Sequence, residues 1–434
     1  MNRTVIGLEV HVELKTQSKM FCNCSADYFG QKPNTHTCPV CLGLPGALPV
    51  PNKQALEWCI AIGLALNCSI PLFSKFDRKN YFYPDLPKGY QISQYDEPFC
   101  SNGHIEINGK KFGITRVHME EDTGKLLHEE GNSLIDFNRS GVPLVEIVTE
   151  PDFDNATDVK EYLQKLQQIV RYLGVSDADM EKGQMRLEPN ISVSLNINSK
   201  ELPNYKVEVK NINSFSFVEK AINYEIKRQL ELLEKAEKIV QETRGWNENK
   251  GITVSQRLKE EANDYRYFPE PDIPPIRWTQ KEIDSIKNSL PELPDAKQKR
   301  FAKEYTLSDY DAELLTRDFE LASYFEEAVN AGEVVSLTPK QIANHIINKK
   351  IDINNTLPAK LIEEILTTGK TEIIDEKELK SIIKKILKDN PKIAADYKQG
   401  KDSVIQFAIG QVMYIIRKKI DTEILRKLIM EELK

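Results

Sequence analysis

Long hydrophobic runs are missing from this 434-residue sequence. No segment approaches the roughly 18 consecutive apolar residues that a membrane-spanning helix needs. The N-terminus enters a strand pattern at residues 4–6, which leaves no room for a cleavable apolar leader. These absences predict a soluble, cytoplasmic protein with no membrane contact, and the length suggests about three domains.

Cysteine is also scarce, and glycine-rich phosphate loops are absent. The seven cysteines include two closely spaced pairs, which fit a metal site in a reducing compartment better than a disulfide framework. Neither a P-loop nor a kinase-type glycine loop occurs. Any ATP site must therefore use the open face of a sheet instead of such a loop.

An overall excess of positive charge is lacking as well. The net charge of −7 argues against general affinity for nucleic acid, but residues 380–434 carry 13 Lys and Arg against 7 Asp and Glu. This asymmetry suggests a basic tail that meets a polyanion while the rest of the chain repels it. The alternative is an ordinary solvated helical face.

The cysteine spacing is the most specific local signal. Cys22 and Cys24 form one pair, and Cys38 and Cys41 form the second, so that two thiolate pairs joined by a loop predict a closed, tetrahedral zinc site. Four ordinary buried thiols, or His36 in place of one cysteine, are the alternatives. The isolated residues Cys59, Cys68 and Cys100 are expected in the core.

A short strand just before the cysteines carries three ionisable groups. Strand side chains alternate, so Glu9, His11 and Glu13 face one way while the apolar residues between them face the other. Carboxylates with an imidazole suit a hard divalent cation such as Mg²⁺. A solvated strand face explains the same pattern, so this row alone is weak evidence.

Other predicted strands strengthen the case because they also carry polar faces. They include residues 118–122 at the end of one alternating stretch, Glu146 and Glu150 on another, and Arg186 with Glu188 on a third. A sheet with one concave polar side explains them together. Such a side is able to hold Mg²⁺ and the phosphates of a nucleotide.

Two loops mix charges with aromatic rings, at residues 76–85, followed by Lys88, and at residues 264–271. Aromatic loops of this kind either stack a base or sugar or simply close the edge of a core. Residues 210–214, between a strand and a helix, place amides where an anion can bind.

The order of patterns predicts an α+β fold with a mainly antiparallel sheet. Alternating segments recur at 113–121, 143–150, 186–195 and 205–210, with a hairpin at 240–255 and helices at 159–173 and 216–238. Regular strand–helix alternation is absent. After residue 290 the composition becomes helical, and it fits two units, one ending near Gly369 and one beginning near Glu372.

Taken together, these segments closely resemble the B subunits of bacterial-type aspartyl/glutamyl-tRNA amidotransferases. The resemblance is carried by residues 7–13, the cysteine quartet, 42–46, 76–85, 91–96, 118–122, 143–151, 210–215 and 264–271. It covers nearly the whole chain. It implies a glutamine-synthetase-like antiparallel cradle with a zinc knuckle at 22–41 (domain 1–290), an abbreviated all-helical domain (291–370) and a small tRNA-binding helical tail (371–434).

The resemblance also implies a reaction. The family uses ATP and Mg²⁺ to phosphorylate the side-chain carboxylate of glutamate on tRNA(Gln), or of aspartate on tRNA(Asn). Ammonia, released from glutamine by the amidase partner (the A subunit), then displaces the phosphate, and a small third partner (the C subunit) binds both large chains. The zinc ion is structural. A heterotrimer in the cytoplasm is therefore expected.

The family's site residues match individual positions of this chain. His11, Glu121 and Glu146 match its magnesium ligands, and Glu9, Glu150, Arg186, Glu188, Lys79 and Lys88 match catalytic positions around them. Two departures concern the wall near Glu188. A glutamate stands there where the family usually has aspartate, and Ser194 replaces a frequent arginine.

Two other functions compete with this one. A ligase that amidates a free acid would fit the glutamine synthetase resemblance, and a tRNA-binding scaffold would leave the chemistry to its partner. The basic C-terminus favours tRNA over a free acid, and the acidic sheet faces favour an enzyme over a scaffold. No glutaminase nucleophile pattern is evident, so glutamine use requires a separate chain.

Overall fold

The computed structural model describes residues 2–129, 131–196, 201–258, 265–369, 376–398, 403–416 and 422–433. The strands are β1 Arg3–Glu13, β2 Phe73–Ser74, β3 Asp77–Asn80, β4 Tyr90–Ser93, β5 Cys100–Ile107, β6 Lys110–Glu121, β7 Lys125–Glu129, β8 Asn132–Asp136, β9 Pro143–Thr149, β10 Met185–Ser194, β11 Val207–Lys210, β12 Glu242–Asn247, β13 Ile252–Leu258, β14 Phe268–Pro269 and β15 Ile276–Arg277. The helices are α1 Lys53–Ala65, α2 Ala156–Tyr172, α3 Phe215–Glu234, α4 Gln280–Ser289, α5 Pro294–Glu304, α6 Asp309–Leu315, α7 Phe319–Glu333, α8 Pro339–Lys349, α9 Pro358–Gly369, α10 Glu376–Asp389, α11 Pro391–Lys398, α12 Ser403–Ile416 and α13 Thr422–Leu433.

An eight-stranded sheet in the order β13-β12-β11-β10-β1-β9-β6-β5 dominates residues 1–297, the first of two compact units. Every neighbouring pair is antiparallel except β11 and β12, which run parallel on either side of α3. A parallel pair needs such a crossover, whereas antiparallel strands need only a short turn. The predicted α+β class and mainly antiparallel sheet are confirmed.

The sheet buries one face against helices and leaves the opposite face polar. Along β1 the residues Leu8, Val10 and Val12 are at most 2 % exposed and join a core with α1, α2 and α3. Burying each such side chain contributes about 1.5–3 kcal/mol, which fixes the register because a one-residue slip turns the whole set outward. The ionisable residues of β1 therefore face the other side.

Helix α2 shows why the sequence forms these elements locally. The Asn155 side chain caps its first turn by accepting a hydrogen bond from the backbone N–H of Asp158. Apolar residues at helical spacing, from Val159 to Val170, are buried against the sheet. Gly174, with φ of +68°, reverses the chain after the helix, a conformation that glycine adopts without strain.

The second compact unit, residues 298–434, is helical throughout its described part. It contains two apolar cores, one around Phe301, Phe325 and Ile342 and one around Ile383, Val412 and Leu425. The predicted limits of 290 and 370 stay predictions, and the second of them lies outside the described residues, as does Asp264. Within the described residues, no helix combines the length and apolarity that crossing a bilayer requires.

Candidate active site and cysteine cluster

Four adjacent strands bring ionisable residues into one row on the polar face of the sheet. In the antiparallel register, Arg186 on β10 lies opposite His11 on β1, His11 lies opposite Glu146 on β9, and Glu146 lies opposite His118 on β6. Directly opposed residues on one face are close enough for their side chains to interact. The row therefore concentrates two imidazoles, a carboxylate and a guanidinium at the centre of the sheet.

The metal-ligating atoms of His11, Glu120 and Glu146 lie within 4.8 Å of one another. His11 Nε2 is 3.7 Å from a carboxylate oxygen of each glutamate, and His118 Nε2 is 3.1 Å from Glu146 Oε2. Lys79 Nζ, from β3, is 3.3 Å from Glu120 Oε1, and Ser93 Oγ donates to the same oxygen at 2.9 Å. Two carboxylates and an imidazole are a donor set that fits Mg²⁺.

Both glutamates of this cluster are ionised despite their burial. Burial and the neighbouring Glu120 raise the pKa of Glu146, but the imidazoles of His118 and His11 outweigh them and lower it to about 2. Burial likewise opposes ionisation of Glu120, and Lys79 with the histidines holds its pKa well below the usual range. An anionic, buried pair is the state that a divalent cation requires.

Glu121, a predicted magnesium ligand, lies apart from this cluster. It follows Glu120 directly on β6, so its side chain points to the opposite face, where Lys88 Nζ and the backbone N–H of Ile92 contact Glu121 Oε1 at 2.5 and 2.9 Å. Lys88 and Glu121 line a pocket with Phe21, Val40 and Leu44. The structure brings His11 and Glu146 together as predicted but places Glu120, not Glu121, beside them.

A second acidic cluster lies further along the same face. Oxygens of Glu9, Glu188 and Glu208 come within 4.8 Å of one another, and burial together with the nearby glutamates raises the pKa of Glu9. Lys210 Nζ is 2.9 Å from Glu188 Oε2 and 3.3 Å from Glu208 Oε1. Lys206 Nζ also lies 3.9 Å from Glu9 Oε1. The three converging carboxylates are a second donor set that suits a hard cation.

Glu150, the remaining predicted carboxylate, belongs to neither cluster. It lies just beyond the end of β9, is exposed, and accepts a hydrogen bond from Thr115 Oγ1 at 2.6 Å. Glu120 and Glu208, by contrast, were not predicted. The alternation of His118 with Glu120 along β6 was the signal for the first of them, and the position of Glu208 on the alternating stretch 205–210 was the signal for the second.

Arg186 forms a buried network at the end of the row. Its guanidinium contacts Asp122, which also lies 3.7 Å from Arg139 Nε, and it approaches Glu13 Oε1 at 3.6 Å. Burial opposes ionisation of Asp122, but the two arginines hold its pKa well below the usual range. Burial, and then the neighbouring Asp122, raise the pKa of Glu13.

This network leads to a stability prediction for Asp122→Asn. Removing one partner of a buried ion pair leaves uncompensated charge and costs about 3–5 kcal/mol. Because the folded pKa of Asp122 is depressed, its contribution is present above the unfolded value near 4 and is lost as the pH falls below it. The free energy of unfolding of wild type and of Asp122→Asn is measured with denaturant from pH 7 to pH 3. The difference between the two proteins should shrink as the pH falls.

The exposed Asp284→Asn provides the matched control for this experiment, and its free energy of unfolding should stay within about 0.5 kcal/mol of wild type. A difference between wild type and Asp122→Asn that is absent, or that grows in acid, would contradict the ion-pair assignment.

Tyrosine rings lie near Lys79. Lys79 Nζ lies 5.3 Å from the ring centre of Tyr265, and Tyr267 stacks on Tyr95 at 4.4 Å. The pKa of Tyr267 is raised to about 12, first by burial and then by Glu120 and Glu146 against the opposing effect of Lys79. The segment after residue 264 and strand β3, which carries Lys79, thus border the same cluster.

The four paired cysteines converge, as their spacing predicts. The Sγ atoms of Cys22, Cys24, Cys38 and Cys41 lie within 4.8 Å of one another, and no histidine belongs to this described group. The backbone N–H of Cys38 donates to Cys41 Sγ at 3.1 Å, a contact that stabilises a thiolate. A hydrogen bond from Cys22 lowers the pKa of Cys41 to about 5. The donor set fits Zn²⁺. Cys59, Cys68 and Cys100 are buried in the core, as expected.

Fold and site together define an α+β chain whose polar sheet face carries clustered carboxylates and imidazoles, with a four-cysteine cluster and a helical second unit. Comparison with known families is consistent with this division. Residues 4–284 match the model described as "GatB/GatE catalytic domain", and residues 297–433 match the one described as "GatB domain".

Full-length relatives point to the same family. Proteins named as the B subunit of "Aspartyl/glutamyl-tRNA(Asn/Gln) amidotransferase" from Caldicellulosiruptor saccharolyticus and Thermoanaerobacter pseudethanolicus are each 47 % identical over 99 % of this chain and 98 % of their own length. The protein of that name from Persephonella marina is 47 % identical over 99 % of both chains. The chain belongs to the family of aspartyl/glutamyl-tRNA(Asn/Gln) amidotransferase B subunits, which confirms the resemblance.

Proposed function

We propose that this chain is the ATP-using subunit of a tRNA-dependent amidotransferase. It would phosphorylate the side-chain carboxylate of glutamate on tRNA(Gln), of aspartate on tRNA(Asn), or of both, and hold the activated group for attack by ammonia. The observation that carries the proposal is the buried cluster of His11, Glu120 and Glu146 inside the segment that matches a catalytic domain. The names of the relatives supply the substrate class.

The cluster is proposed as the site of a magnesium ion, with His11, Glu120 and Glu146 as ligands. When bound, Mg²⁺ offsets negative charge between ATP and the incoming carboxylate and supplies several kcal/mol of transition-state stabilisation. His118 holds Glu146 by its 3.1 Å contact, and Ser93 and Lys79 hold Glu120, so the ligands are oriented before substrate arrives. In this proposal Glu120 takes the place of Glu121, because Glu120 shares a face with His11 and Glu146.

The cluster of Glu9, Glu188 and Glu208 is proposed as a second cation site on the same face. Two cations clamp both sides of a phosphoryl transfer more effectively than one. Asn190 Nδ2 donates to Glu9 Oε1 at 3.0 Å, and Thr243 Oγ1 donates to Glu208 Oε2 at 2.8 Å, and these hydrogen bonds orient the two carboxylates. The extra methylene at Glu188, relative to the family's usual aspartate, is compatible with this geometry, and Ser194 lies outside it.

Lys79 and Lys88 are proposed to act on opposite faces of the sheet. The ammonium of Lys79 lies beside the carboxylate cluster, where it is placed to bind phosphate oxygens. Lys88 pairs with Glu121 at the pocket below. By resemblance to the family, this pocket is the proposed approach for ammonia, and the Lys88–Glu121 pair would control its entry.

The partners are proposed from the family as well. Misacylated tRNA, a glutamine-hydrolysing amidase (the A subunit) and the small C subunit would complete the expected heterotrimer in the cytoplasm. The relatives' name identifies a B subunit, which is consistent with the presence of partner chains. The proposed cofactors are ATP and Mg²⁺ at the sheet, with structural Zn²⁺ at the four cysteines.

Trapping with hydroxylamine tests the acyl-phosphate step directly. The complex, ATP and Glu-tRNA(Gln) are incubated without glutamine or ammonia. Hydroxylamine should displace phosphate from the activated side chain and give the side-chain (γ) hydroxamate of glutamate, which is distinguished from the α-hydroxamate that hydroxylamine forms at the tRNA ester without ATP. Asp-tRNA(Asn) is tested in parallel. Failure to form an ATP-dependent side-chain hydroxamate with either tRNA, in a preparation that still makes product with glutamine, would overturn the proposed intermediate.

The helical tail gives a separate prediction about tRNA. Deleting residues 372–434, which hold the basic excess, should weaken tRNA binding about tenfold or more and reduce its salt dependence, because fewer phosphates are neutralised. Binding is measured by filter retention at several salt concentrations. ATP hydrolysis by the truncated protein in the complete complex shows whether residues 1–297 remain folded and active. Unchanged tRNA affinity would remove the tail from tRNA binding.

A further inference from the structure

Lys19 is a fully buried lysine in the loop between β1 and the cysteine cluster, with 0 % of its surface exposed. Its ammonium donates to the carbonyl of His36 at 2.7 Å and to the carbonyl of Phe137 at 3.3 Å, and it lies 3.8 Å from Cys41 Sγ. Within the described part of the chain, no carboxylate pairs with it. A buried ammonium is costly unless a negative charge compensates it.

The cysteine cluster, whose Cys41 Sγ lies 3.8 Å from the ammonium, is able to supply that negative charge. With a divalent cation bound, four thiolates would leave a net charge of −2. Cys41, which is only 4 % exposed, is the most deeply buried of the four cysteines. The carbonyls of His36 and Phe137 are neutral, so they satisfy the hydrogen bonds of Lys19 without balancing its charge. The positive charge of the Lys19 ammonium and the negative charge of the metal-bound cysteine cluster would therefore balance each other.

We propose that Lys19 is a charge-compensating donor of the cysteine metal site, where its ammonium hydrogen-bonds the Cys41 thiolate and strengthens metal retention. Outer-sphere partners of this kind change metal affinity about 10- to 100-fold. The inference rests on the proposed zinc site. It adds a residue that lies outside the cysteine motif and that the spacing of the cysteines does not reveal.

The same ammonium connects the metal site to the polar face of the sheet. Its second acceptor, the carbonyl of Phe137, begins a segment whose Arg139 contacts Asp122 of the Arg186 network. Ser140 Oγ in this segment donates to the Cys41 carbonyl at 3.3 Å. Lys19 therefore joins the metal site to the loop that supports one wall of the candidate active site.

The first experiment measures zinc retention by the full-length protein. Lys19→Gln keeps a donor for the carbonyls but removes the charge, whereas Lys19→Arg keeps the charge. Under a fixed excess of a chromogenic chelator, Lys19→Gln should lose zinc about 10- to 100-fold faster than wild type. The rate of zinc loss from Lys19→Arg should be closer to that of wild type. Equal retention in all three proteins would overturn the proposal.

Asn138→Ala is the matched control for loop anchoring. Asn138 is equally buried and ties the same loops together, accepting from the His36 N–H at 2.7 Å and donating to the Lys32 carbonyl at 2.8 Å, without touching sulfur. Its zinc retention should stay within about threefold of wild type. If Asn138→Ala and Lys19→Gln lose zinc equally fast, Lys19 acts by anchoring the loop and the charge proposal is wrong.

A spectroscopic measurement distinguishes the effect of the Lys19 charge on the Cys41 sulfur from an effect of Lys19 on the loop structure. In the cobalt-substituted protein, a hydrogen bond and positive charge at sulfur lower the energy of the sulfur lone pair and raise the energy of the sulfur-to-metal charge-transfer band. Lys19→Gln should therefore shift this band to longer wavelength, while Asn138→Ala leaves it in place. An unshifted band in Lys19→Gln would count against the contact.

A test on wild-type protein remains available if the variants fail to fold. Lys19 should resist an amine-acetylating reagent in the zinc-loaded protein and become modified after zinc removal, as measured by mass spectrometry of the peptide that contains it. Identical protection with and without zinc would overturn the proposal. Wild-type protein that contains no zinc at all would refute the zinc site itself, which is a separate result.

Discussion

Glu120→Gln is expected to reduce ATP-dependent amidation about 10³-fold or more. The substitution keeps the side-chain volume but removes the charge of one of the three proposed magnesium ligands. Loss of a metal ligand removes several kcal/mol of transition-state stabilisation. About 1.4 kcal/mol corresponds to a tenfold change in rate. The measurement is ATP hydrolysis with charged tRNA and ammonium, with the partner subunits present.

Glu121→Gln is the neighbouring variant that makes this experiment decisive. Its side chain points to the opposite face, so the acyl-phosphate step should persist when hydroxylamine is supplied directly. Glu129→Gln, at an exposed position of β7, should behave as wild type in every assay. Loss of ATP cleavage in Glu121→Gln, with retention in Glu120→Gln, would restore Glu121 as the metal ligand and refute the cluster described above.

The second large effect is expected from the double substitution Cys22→Ser with Cys24→Ser. Removing two of four converging thiolates should abolish zinc binding, so that metal analysis of the pure protein falls from about one zinc per chain to near zero. Because metal binding is coupled to folding, the midpoint of thermal unfolding should fall by several degrees or more. Unchanged zinc content would contradict the site.

Cys68→Ala controls for the loss of a buried cysteine. Cys68 is 9 % exposed and lies in the core, apart from the cluster, so zinc content should remain unchanged even where stability falls. A comparable loss of zinc in this variant would show that the double substitution acts through general unfolding.

Much of the fold was predictable because its signals are local. The alternation of Leu8, Val10 and Val12 with ionisable residues identifies β1 and its two faces, and the apolar spacing after Asn155 identifies α2 with its cap. The cysteine spacing predicted the convergence of four sulfur atoms for the same reason. Each of these signals lies within one short segment of chain.

The composition of the cluster depended on contacts that no local signal contains. Strand β1 pairs with β9 and β10, and both of these strands are far from β1 in sequence. The residues opposite His11 therefore become known only from the register of the folded sheet. The choice between Glu120 and Glu121 was nevertheless open to prediction, because strict alternation places Glu120 with His118. Resemblance favoured Glu121, while the alternation along β6 favoured its neighbour.

Glu208 was harder to predict for a different reason. It lies on β11, a strand of only four residues, and its neighbour β12 runs parallel to it after the crossover through α3. The hydrogen bond from Thr243 that orients Glu208 exists only in that pairing.

The most direct test of the central claim is ATP hydrolysis by the complete complex with ammonium as the nitrogen donor, compared across Glu-tRNA(Gln), Asp-tRNA(Asn), the uncharged tRNAs and free glutamate. The account predicts ADP formation only with a charged tRNA, in step with appearance of the amidated aminoacyl-tRNA and lost in Glu120→Gln. Hydrolysis supported by free glutamate would indicate a small-acid ligase. Absence of hydrolysis with every substrate would favour a tRNA-binding scaffold and contradict a catalytic sheet face.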